Sequence, residues 1–581
     1  MHDRPDTPPK LLRQRSRDWA DRPALAAKRR GLWSGTNWAQ YYEQVRAVAL
    51  GLRAARLQRG DRVSVLAENR PEWLFVDLGV QCLGGVGNGI YPTSSPEQVA
   101  HVLADSGSAY VVVENQEQLD KVLAVRGRCP ALRRVWVLER EGLRGFADPG
   151  VGFFDELQAE GAARTATEAA DFDAAIDATR PEDLAFLVYT SGTTGAPKGA
   201  MIRHGNVMAQ LAIVDAWLGC APGDRALSFL PLCHIAERMA SVFNPLAAGL
   251  VVHFPENAGT VFNDLREVEP QVVFAPPRFW EKLHAQVELG LRDAIAPARW
   301  VWARAQRPGA AGWLRALAHT NVRRFLGLAR LKTALTGAAP VPPELVRWYQ
   351  ALGIELREAF GMTETCGFVT ATLPGQVRVG WAGRPGPGIA IRLGAEAELL
   401  VKGGNVFAGY WGRGESPVDA GGWLHTGDCA EIAEGGELAI RDRLKDILIT
   451  SGGKNITPSQ VENGLKFSPY ITDAVAVGDG RRFVTALVML DHEQVARFAR
   501  DEQVPYTDHA SLARAPQVVA LIRAEVERAN AQLARVEQVK DFRIIEQLLT
   551  VDDEELTPTM KLKRRLVTRK YAALIDSMYP D

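Results

Sequence analysis

The sequence lacks the apolar runs, cysteine pairs and charge excess that mark several protein classes. No apolar run in this 581-residue chain reaches membrane-spanning length, and the best candidate, Val242–Phe254, is short and contains Asn244, Pro245 and His253. The first residues carry charges and prolines where a signal peptide needs an apolar centre. The six cysteines form no C-x-x-C pair, which predicts a reduced cytoplasmic protein without a cysteine metal site. A net charge of −1 gives no reason to expect a nucleic-acid partner.

A second absence is local. No acidic residue occurs between Asp293 and Glu344, and Trp300, Trp302 and Trp313 are interleaved there with basic residues. The interpretation we favour is a pair of solvated surface helices whose counter-charges come from elsewhere in the fold. The alternative is a basic segment, 299–332, that touches acidic lipid head groups on the inner face of the cell membrane, or an anionic ligand. The basic residues are Arg299, Arg304, Arg307, Arg315, Arg323, Arg324, Arg330 and Lys332.

The order of apolar runs predicts an α/β protein of more than one domain. The chain is too long for a single core. From about Trp38 to Thr450, short strand-like runs such as DRVSVLAEN, AYVVVEN, QVVFAPP and LKTALTG alternate with helical segments. After Ile449 the pattern changes: AVAVGDGRRFVTALVML predicts two strands around an Asp-Gly turn, and residues 515–533 predict one long helix. We expect a small α/β domain there, in which Thr457 caps a helix and Gln460 closes a capping box.

The stretch YTSGTTGAPKG, Tyr189–Gly199, is the most unusual in the chain. A buried-strand pattern, LAFLVYT, precedes it and a helical pattern, NVMAQLAIVDAWL, follows it. This predicts a glycine-rich loop between a strand and a helix, where backbone N–H groups can surround an anion. The loop is not a P-loop, because Lys198 is followed by Gly199 and not by a hydroxyl residue. The alternative is an ordinary surface loop, which would not need so many donors beside a lysine.

Five further segments have unusual composition. Each has an ordinary explanation by itself, such as a surface acid, a turn or a solvated basic tail. They are TGAAPVPPEL (Thr336–Leu345), AFGMTET (Ala359–Thr365), WLHTGD (Trp423–Asp428), RDRLKDILITSGGKN (Arg441–Asn455) and LTPTMKLKRR (Leu556–Arg565).

Together and in this order, the six segments resemble the adenylate-forming superfamily of acyl-CoA synthetases, luciferases and adenylation domains. The resemblance runs from about Trp38 to Tyr571. LPLCHIAER, PPRFWEKL and SPYITDAVAVGDGRRFVTALV are similar to bacterial long-chain and bubblegum-type acyl-CoA synthetases. The resemblance implies that a long-chain fatty acid is joined to AMP with release of pyrophosphate and is then passed to coenzyme A. It implies ATP and Mg²⁺ as cofactors, and it leaves a monomer and a homodimer open.

The resemblance also implies roles for individual residues. The 190–199 loop would hold the β- and γ-phosphates, and Thr190 and Glu364 would bind magnesium. Gly337, Ala338 and Ala339 would face one side of adenine. Phe360, where the family often has tyrosine, would border the other side with Gly361, Met362 and Thr363. Asp428 and Arg443 would hold the ribose. His234 would lie at the mouth of the acyl tunnel or be an ordinary packed histidine. The phosphate-loop residues are Thr190, Ser191, Gly192, Thr193, Thr194, Gly195 and Lys198.

The small domain carries the remaining implied roles. Lys561 would neutralise the acid and the α-phosphate as they meet, so it joins Lys198, Glu364 and Thr190 as a candidate catalytic residue. The resemblance divides the chain into a large domain, 1–444, and a small mobile domain, 445–581, with the hinge at Lys445. Rotation about this hinge would present the Gly452-Gly453 turn to the pantetheine arm of coenzyme A.

Two other functions remain open. The first is a ligase that delivers the acyl group to a carrier protein, or that uses medium-chain or aryl acids; RDRLKDILIT runs without the insertion expected of a fatty acyl-AMP ligase. The second is a non-catalytic acyl-nucleotide binding protein, which would be expected to lack Lys198, Glu364 or Lys561, and all three are present.

Overall fold

The computed structural model describes residues 5–190, 196–307, 309–414, 416–549, 555–556 and 562–579. Its strands, in chain order, are β1 (Pro23–Arg29), β2 (Leu32–Asn37), β3 (Arg62–Leu66), β4 (Val86–Ile90), β5 (Ser108–Val113), β6 (Arg134–Val137), β7 (Val151–Phe153), β8 (Leu184–Thr190), β9 (Lys198–Arg203), β10 (Arg225–Leu227), β11 (Val251–Phe254), β12 (Val272–Ala275), β13 (Thr333–Thr336), β14 (Leu356–Met362), β15 (Gly367–Ala371), β16 (Arg384–Pro385), β17 (Ile389–Leu393), β18 (Glu398–Gly403), β19 (Leu424–Ile432), β20 (Leu438–Arg443), β21 (Leu448–Ile449), β22 (Asn455–Ile456), β23 (Ile471–Val477), β24 (Val484–Leu490) and β25 (Val539–Ile544).

The helices surround these strands, and a π-helical turn, Met239–Phe243, joins α8 to α9. They are α1 (Pro8–Asp18), α2 (Trp38–Ala54), α3 (Pro71–Cys82), α4 (Pro96–Ser106), α5 (Gln116–Val125), α6 (Phe154–Asp177), α7 (His204–Leu218), α8 (Ile235–Arg238), α9 (Asn244–Ala248), α10 (Val261–Val268), α11 (Pro277–Asp293), α12 (Ala296–Ala305), α13 (Gly312–Phe325), α14 (Pro343–Ala351), α15 (Pro458–Lys466), α16 (His492–Asp501), α17 (His509–Arg514), α18 (Pro516–Asn530), α19 (Arg564–Lys570) and α20 (Ala572–Asp576). Of the helices described, none is long and apolar enough to cross a membrane.

The strands before residue 444 form several sheets. The largest has the order β7-β6-β5-β3-β4-β8-β9 and is parallel except for β9, which is antiparallel to β8. A second sheet, β12-β13-β14-β15-β16, begins parallel and ends antiparallel. A third, β10-β11-β1-β2, packs beside them, and β17 to β20 form an antiparallel meander. Parallel strands covered by helices on their faces give the α/β architecture that the alternating sequence pattern predicts.

The chain after residue 446 has its own apolar core. It is built around the sheet β23-β24-β25 and helices α15, α16 and α18, and it includes Val461, Val488 and Ile522. The two strands predicted around the Asp-Gly turn are β23 and β24, and the predicted long helix is α18. A large α/β domain and a smaller C-terminal α/β domain are therefore both present, as predicted.

Two local predictions are wrong. Lys198–Arg203 forms strand β9, so the glycine-rich loop joins two antiparallel strands and does not lead directly into helix α7. Helix α15 begins at Pro458 as predicted, but the Thr457 side chain makes no capping hydrogen bond. Instead the Ser459 N–H donates to Asp442 Oδ2 at 3.0 Å. A carboxylate at the end of β20 thus takes the role of the cap, because negative charge is favoured at a helix N-terminus.

Candidate active site

A cavity of about 1120 Å³ lies where the two domains meet, and it collects most of the predicted site residues. The predicted residues on its wall are Thr190, Lys198, His234, Gly337, Ala338, Ala339, Phe360, Gly361, Met362, Thr363, Glu364, Asp428, Arg443 and Lys445. They come from strands β8, β9, β14, β19 and β20 and from the segments after β10, β13, β14 and β20, so the fold brings together segments that are far apart in the sequence.

The other predicted residues divide into two groups. Gly452 and Gly453 are described but do not line the cavity; they lie in the turn between β21 and β22. Ser191, Gly192, Thr193, Thr194, Gly195 and Lys561 lie outside the described residues.

One end of the cavity is built around Lys198 and Glu364. Thr190 and Lys198 are directly paired residues of β8 and β9. The Lys198 Nζ lies 5.4 Å from the centre of the Tyr410 ring, and the Tyr410 hydroxyl donates to Glu364 Oε1 at 2.6 Å. Tyr410 is placed by a β-bridge to Ala200 of β9. Burial, with the Glu364 carboxylate beside it, raises the pKa of the Tyr410 hydroxyl, so this hydroxyl stays protonated and holds Glu364 in position.

This end also has ligands that suit a magnesium ion. The hydroxyl of Thr190 and the carboxylate of Glu364 both line the cavity. Tyr410 donates to Oε1 of Glu364, and no other described residue forms a side-chain hydrogen bond or ion pair with Oε2, which is therefore available as an oxygen ligand. Magnesium in proteins takes one or two carboxylates and completes its shell with water and substrate phosphate. The donor set therefore fits the ion.

A second part of the cavity has a flat backbone wall at the end of β13. A side chain at Gly337 would place its Cβ 2.6 Å from the Ala359 carbonyl oxygen, so only glycine fits. Ala338 has a φ of 65°, a left-handed conformation that costs energy for a residue other than glycine and is found at functional sites. Phe360 of β14 borders the same space. This geometry allows a planar group to lie close to the backbone.

Glu358 also belongs to β14, two residues before Phe360, and it was not predicted from the sequence. It pairs with Thr336 across the sheet and lines the cavity. Burial raises the pKa of Glu358 to about 7, and the Gly380 N–H donates to its Oε1 at 2.9 Å. The flat backbone wall therefore has beside it a buried carboxyl group whose pKa is raised towards neutral.

Asp428 and Arg443 form the diol-binding candidate. They are paired residues of β19 and β20, and the Arg443 Nε lies 2.8 Å from Asp428 Oδ1. Arg443 also donates to the Thr426 carbonyl oxygen at 3.2 Å. The arginine fixes a buried carboxylate on the cavity wall, and a fixed carboxylate can accept hydrogen bonds from two neighbouring hydroxyls.

The remaining part of the large-domain wall is mainly apolar. It is formed by Val214, Leu218, Leu227, Leu250, Val272 and Leu335. His234 lies beside it as the N-cap of α8, where its Nδ1 accepts a hydrogen bond from the Ala236 N–H at 3.2 Å. Glu237 of α8 also borders this part, and burial raises the pKa of its carboxyl group to about 7. An apolar pocket of this kind suits a hydrocarbon chain.

The small domain closes the cavity from the other side and is held against helix α11. Arg278 lies 3.3 Å from Asp491, and Arg497 lies 2.6 Å from Asp293 at the other end of the helix. Between them the rings of His284 and Phe467 stack with centroids 5.3 Å apart. Burial in this contact lowers the pKa of His284 to about 4, so the histidine is neutral where the domains pack.

The family comparisons agree with this geometry. Residues 12–411 match the family described as AMP-binding enzyme, and residues 445–581 match the AMP-binding enzyme C-terminal domain. A long-chain-fatty-acid–CoA ligase, FadD15, of Mycobacterium bovis is 34% identical over 570 residues, which cover 94% of this chain and 93% of the relative. The long-chain-fatty-acid–CoA ligase ACSBG1 of Bos taurus is 31% identical over 620 residues, covering 97% and 84% of the two chains.

A solved structure has the same fold over the whole length. The anthranilate CoA ligase AuaEII, in complex with anthranoyl-AMP, superposes with a TM-score of 0.74 at 21% identity and covers 99% of each chain. Both family matches, the relatives over nearly the full chain and the superposition agree with one another. This chain therefore belongs to the AMP-binding enzyme family.

Proposed function

We propose that this protein is an AMP-forming ligase that joins a long-chain fatty acid to coenzyme A through an acyl-AMP intermediate. The observation that carries the proposal is one cavity that combines Lys198 and Glu364 at one end, the Asp428–Arg443 pair beside them and an apolar wall. Its curated relatives, named long-chain-fatty-acid–CoA ligases, support the choice of acid and thiol.

The proposed mechanism follows from the charges of the reactants. A carboxylate that attacks the α-phosphate of ATP brings two negative groups together, so the protein must position them and neutralise charge. Lys198 would face the phosphates, Ala338 and Phe360 would hold adenine, and Asp428 would accept from the ribose hydroxyls. A magnesium ion on Thr190 and Glu364 would supply positive charge to the phosphates. Tyr410 would keep Glu364 in position.

The small domain would serve the two half-reactions in turn, with the hinge at Lys445. Lys445 lies two residues after the end of β20 and lines the cavity, so a rotation there changes which face of the small domain closes it. In the arrangement described, α15 and α18 face the cavity and the Gly452-Gly453 turn does not. We propose that rotation brings this turn to the cavity for transfer to coenzyme A, and that Lys561 acts in the first step.

Pyrophosphate release tests the reaction. With ATP and Mg²⁺, straight-chain fatty acids should release pyrophosphate and AMP, and added coenzyme A should yield acyl-CoA. The value of kcat/KM should rise from medium- to long-chain acids, because each further buried methylene contributes about 0.8 kcal/mol until the tunnel is full. ADP and phosphate as products would identify a different reaction class. A flat or falling series would exclude the long-chain preference, and acyl transfer to a carrier protein but not to coenzyme A would favour the alternative ligase.

We also propose that helices α12 and α13 contact an anionic membrane surface. Trp300 and Trp313 are 63% and 71% exposed, and Ile295, Leu317 and Phe325 are exposed beside them. Lys332 and Arg330 are paired with Asp224 and Glu269. Within the part of the chain that the structure describes, no ion pair is formed by Arg299, Arg304, Arg307, Arg315 or Arg324. Exposed tryptophans among unpaired arginines suit the interface of an acidic bilayer.

Vesicle sedimentation tests this contact. The protein should bind vesicles that contain phosphatidylglycerol and should not bind pure phosphatidylcholine. Arg304→Gln/Arg315→Gln should weaken binding about thirty-fold, since each basic residue near an anionic surface contributes about 1 kcal/mol. Leu32→Ser, which changes an exposed apolar residue elsewhere, is the control and should bind normally. Equal binding of the double variant and the control would contradict the proposal.

A further inference from the structure

Helix α4 supports the end of the cavity that is built around Lys198 and Glu364. None of its residues lines the cavity, so its contribution is indirect. The helix is fixed at both ends, because Ser95 and Gln98 form a capping box at its start and Gly107 ends it with a φ of 60°. Five of its eleven residues are buried. A helix held in this way can keep neighbouring segments in place.

The first support comes from His101 of α4. Its ring Nε2 lies 2.8 Å from the Pro197 carbonyl oxygen. A carbonyl oxygen can only accept, so Nε2 carries the hydrogen and donates it. The His101 ring also meets the Tyr189 ring edge-on, with centroids 6.3 Å apart. His101 therefore binds the residue directly before Lys198.

The Pro197 carbonyl lies just beyond the end of the sheet. The ladder between β8 and β9 ends at the pair Thr190–Lys198, so it does not hold the chain before Lys198. Proline has no N–H of its own. Within the described residues, Pro197 forms no hydrogen bond other than the one from His101. This single bond therefore fixes the backbone where it enters Lys198, and Lys198 lines the cavity.

The second support comes from Asp105, one turn further along the same face of α4. Its Oδ2 accepts from the Tyr189 hydroxyl at 2.7 Å. Burial, with Asp105 beside it, raises the pKa of the Tyr189 hydroxyl, so this group remains a donor. The Asp105 carbonyl oxygen accepts from the indole N–H of Trp411 at 3.1 Å. Trp411 follows Tyr410, which bonds Glu364, so one helix supports both sides of this end of the cavity.

We propose that His101 is a positioning residue for Lys198. By donating to the Pro197 carbonyl it fixes the start of β9, and with it the place from which the Lys198 ammonium group meets the phosphates of ATP. A charge that stabilises a reacting group must be held in place beforehand, because a displacement of about 1 Å is costly. His101 does not line the cavity, so it acts through Lys198. The inference rests on the proposed function, because it takes Lys198 to face the phosphates.

His101→Phe tests this role, because it keeps a flat ring beside Tyr189 and removes the donor. With saturating fatty acid, kcat/KM for ATP in pyrophosphate release should fall about five- to ten-fold, which is the scale of one lost hydrogen bond. The KM for the acid should not change. The variant should convert supplied acyl-AMP and coenzyme A to acyl-CoA at the wild-type rate, because this step involves no ATP. A general loss of folded protein would lower both rates alike.

Two further variants identify the donor as the cause. His101→Gln should retain most of the wild-type kcat/KM for ATP, since the glutamine amide carries an N–H at about the same reach as the histidine Nε2. His492→Phe makes the same exchange as His101→Phe at an exposed position on α16, and it should leave both half-reactions unchanged.

Three results would overturn the inference: an unchanged kcat/KM for ATP in His101→Phe, an equal loss of both half-reactions in that variant, or a His101→Gln variant as slow as His101→Phe. Titration calorimetry with MgATP alone gives a readout that needs no acid, and the Kd should rise about five- to ten-fold in His101→Phe. If the wild-type protein releases no pyrophosphate with any acid, the proposed function fails. A raised Kd would then still support the role of His101, and an unchanged Kd would overturn it.

Discussion

Asp77→Ala should destabilise the large domain by about 3–5 kcal/mol, because it leaves a buried arginine without its counter-charge. Arg238 is 0% exposed and its partner Asp77 is 1% exposed in side-chain terms. The Arg238 Nε donates to Asp77 Oδ2 at 3.1 Å, and the guanidinium lies 3.9 Å from the Phe186 ring centre. The free energy of unfolding is measured by chemical denaturation, monitored with a spectroscopic probe in the large domain.

Two comparisons separate this effect from the loss of any ion pair. Asp155→Ala removes a partner of Arg140 on the surface, where Asp155 is 64% exposed, and should cost less than about 1 kcal/mol. Asp77→Leu/Arg238→Met removes both charges and should recover much of the stability, because no unpaired charge remains. Equal losses for Asp77→Ala and Asp155→Ala would mean that the buried pair is not needed.

The same pair also lies next to the apolar wall of the cavity. Arg238 is the last residue of α8, next to Glu237, and Asp77 belongs to α3. A loss of the pair therefore affects α8, which carries Glu237, and the π-helical turn and α9 that follow it, which carry Ser241 and Asn244. We infer that this charge pair fixes the position of these three polar residues relative to the large sheet.

Short-range patterns in the sequence predicted the fold well. Short apolar runs gave strands such as β5 and β8, and the Asp-Gly turn gave the β23–β24 hairpin. The β9 strand was missed because KGAMIR contains glycine, alanine and methionine, which do not favour strands, and it becomes a strand only by pairing with β8. The cap of α15 was missed because its carboxylate, Asp442, comes from the other domain.

The residues of the candidate site also fall into two groups: those that sequence patterns predicted and those that only the packed structure reveals. Thr190, Lys198, Glu364 and Asp428 stand in segments with recognisable composition, and they line one cavity. Tyr410 has no such signal, because its position depends on a bridge to Ala200, more than two hundred residues earlier in the chain. Asn244 was noted only as an interruption of an apolar run. Its burial, and the lack of a hydrogen-bond partner for its Oδ1 among the described residues, are properties of the packed structure, and no spacing rule reports them.

Lys561→Ala should slow formation of acyl-AMP by about a hundred- to a thousand-fold, which corresponds to about 3–4 kcal/mol for a preorganised charge. Lys561 lies outside the described residues, so this prediction rests on the LTPTMKLKRR segment and its match to the C-terminal domain family. If the lysine acts only in the first step, the variant should convert supplied acyl-AMP and coenzyme A to acyl-CoA at nearly the wild-type rate. Rapid-quench measurement of each half-reaction gives both rates.

Lys563→Ala is the matched control, since it removes a lysine two residues away, and both of its rates should be close to wild type.

Lys445→Pro should show the opposite pattern to Lys561→Ala. Proline fixes φ near about −65°, so a hinge held in the first arrangement would form acyl-AMP and fail to transfer it. Asp446, the next residue, keeps its N–H bond to the Arg443 carbonyl at 3.0 Å, so the turn itself need not be lost. Equal loss of both half-reactions in Lys561→Ala would contradict the assignment of Lys561 to the first step, because a lysine that leaves the site after that step cannot affect the second.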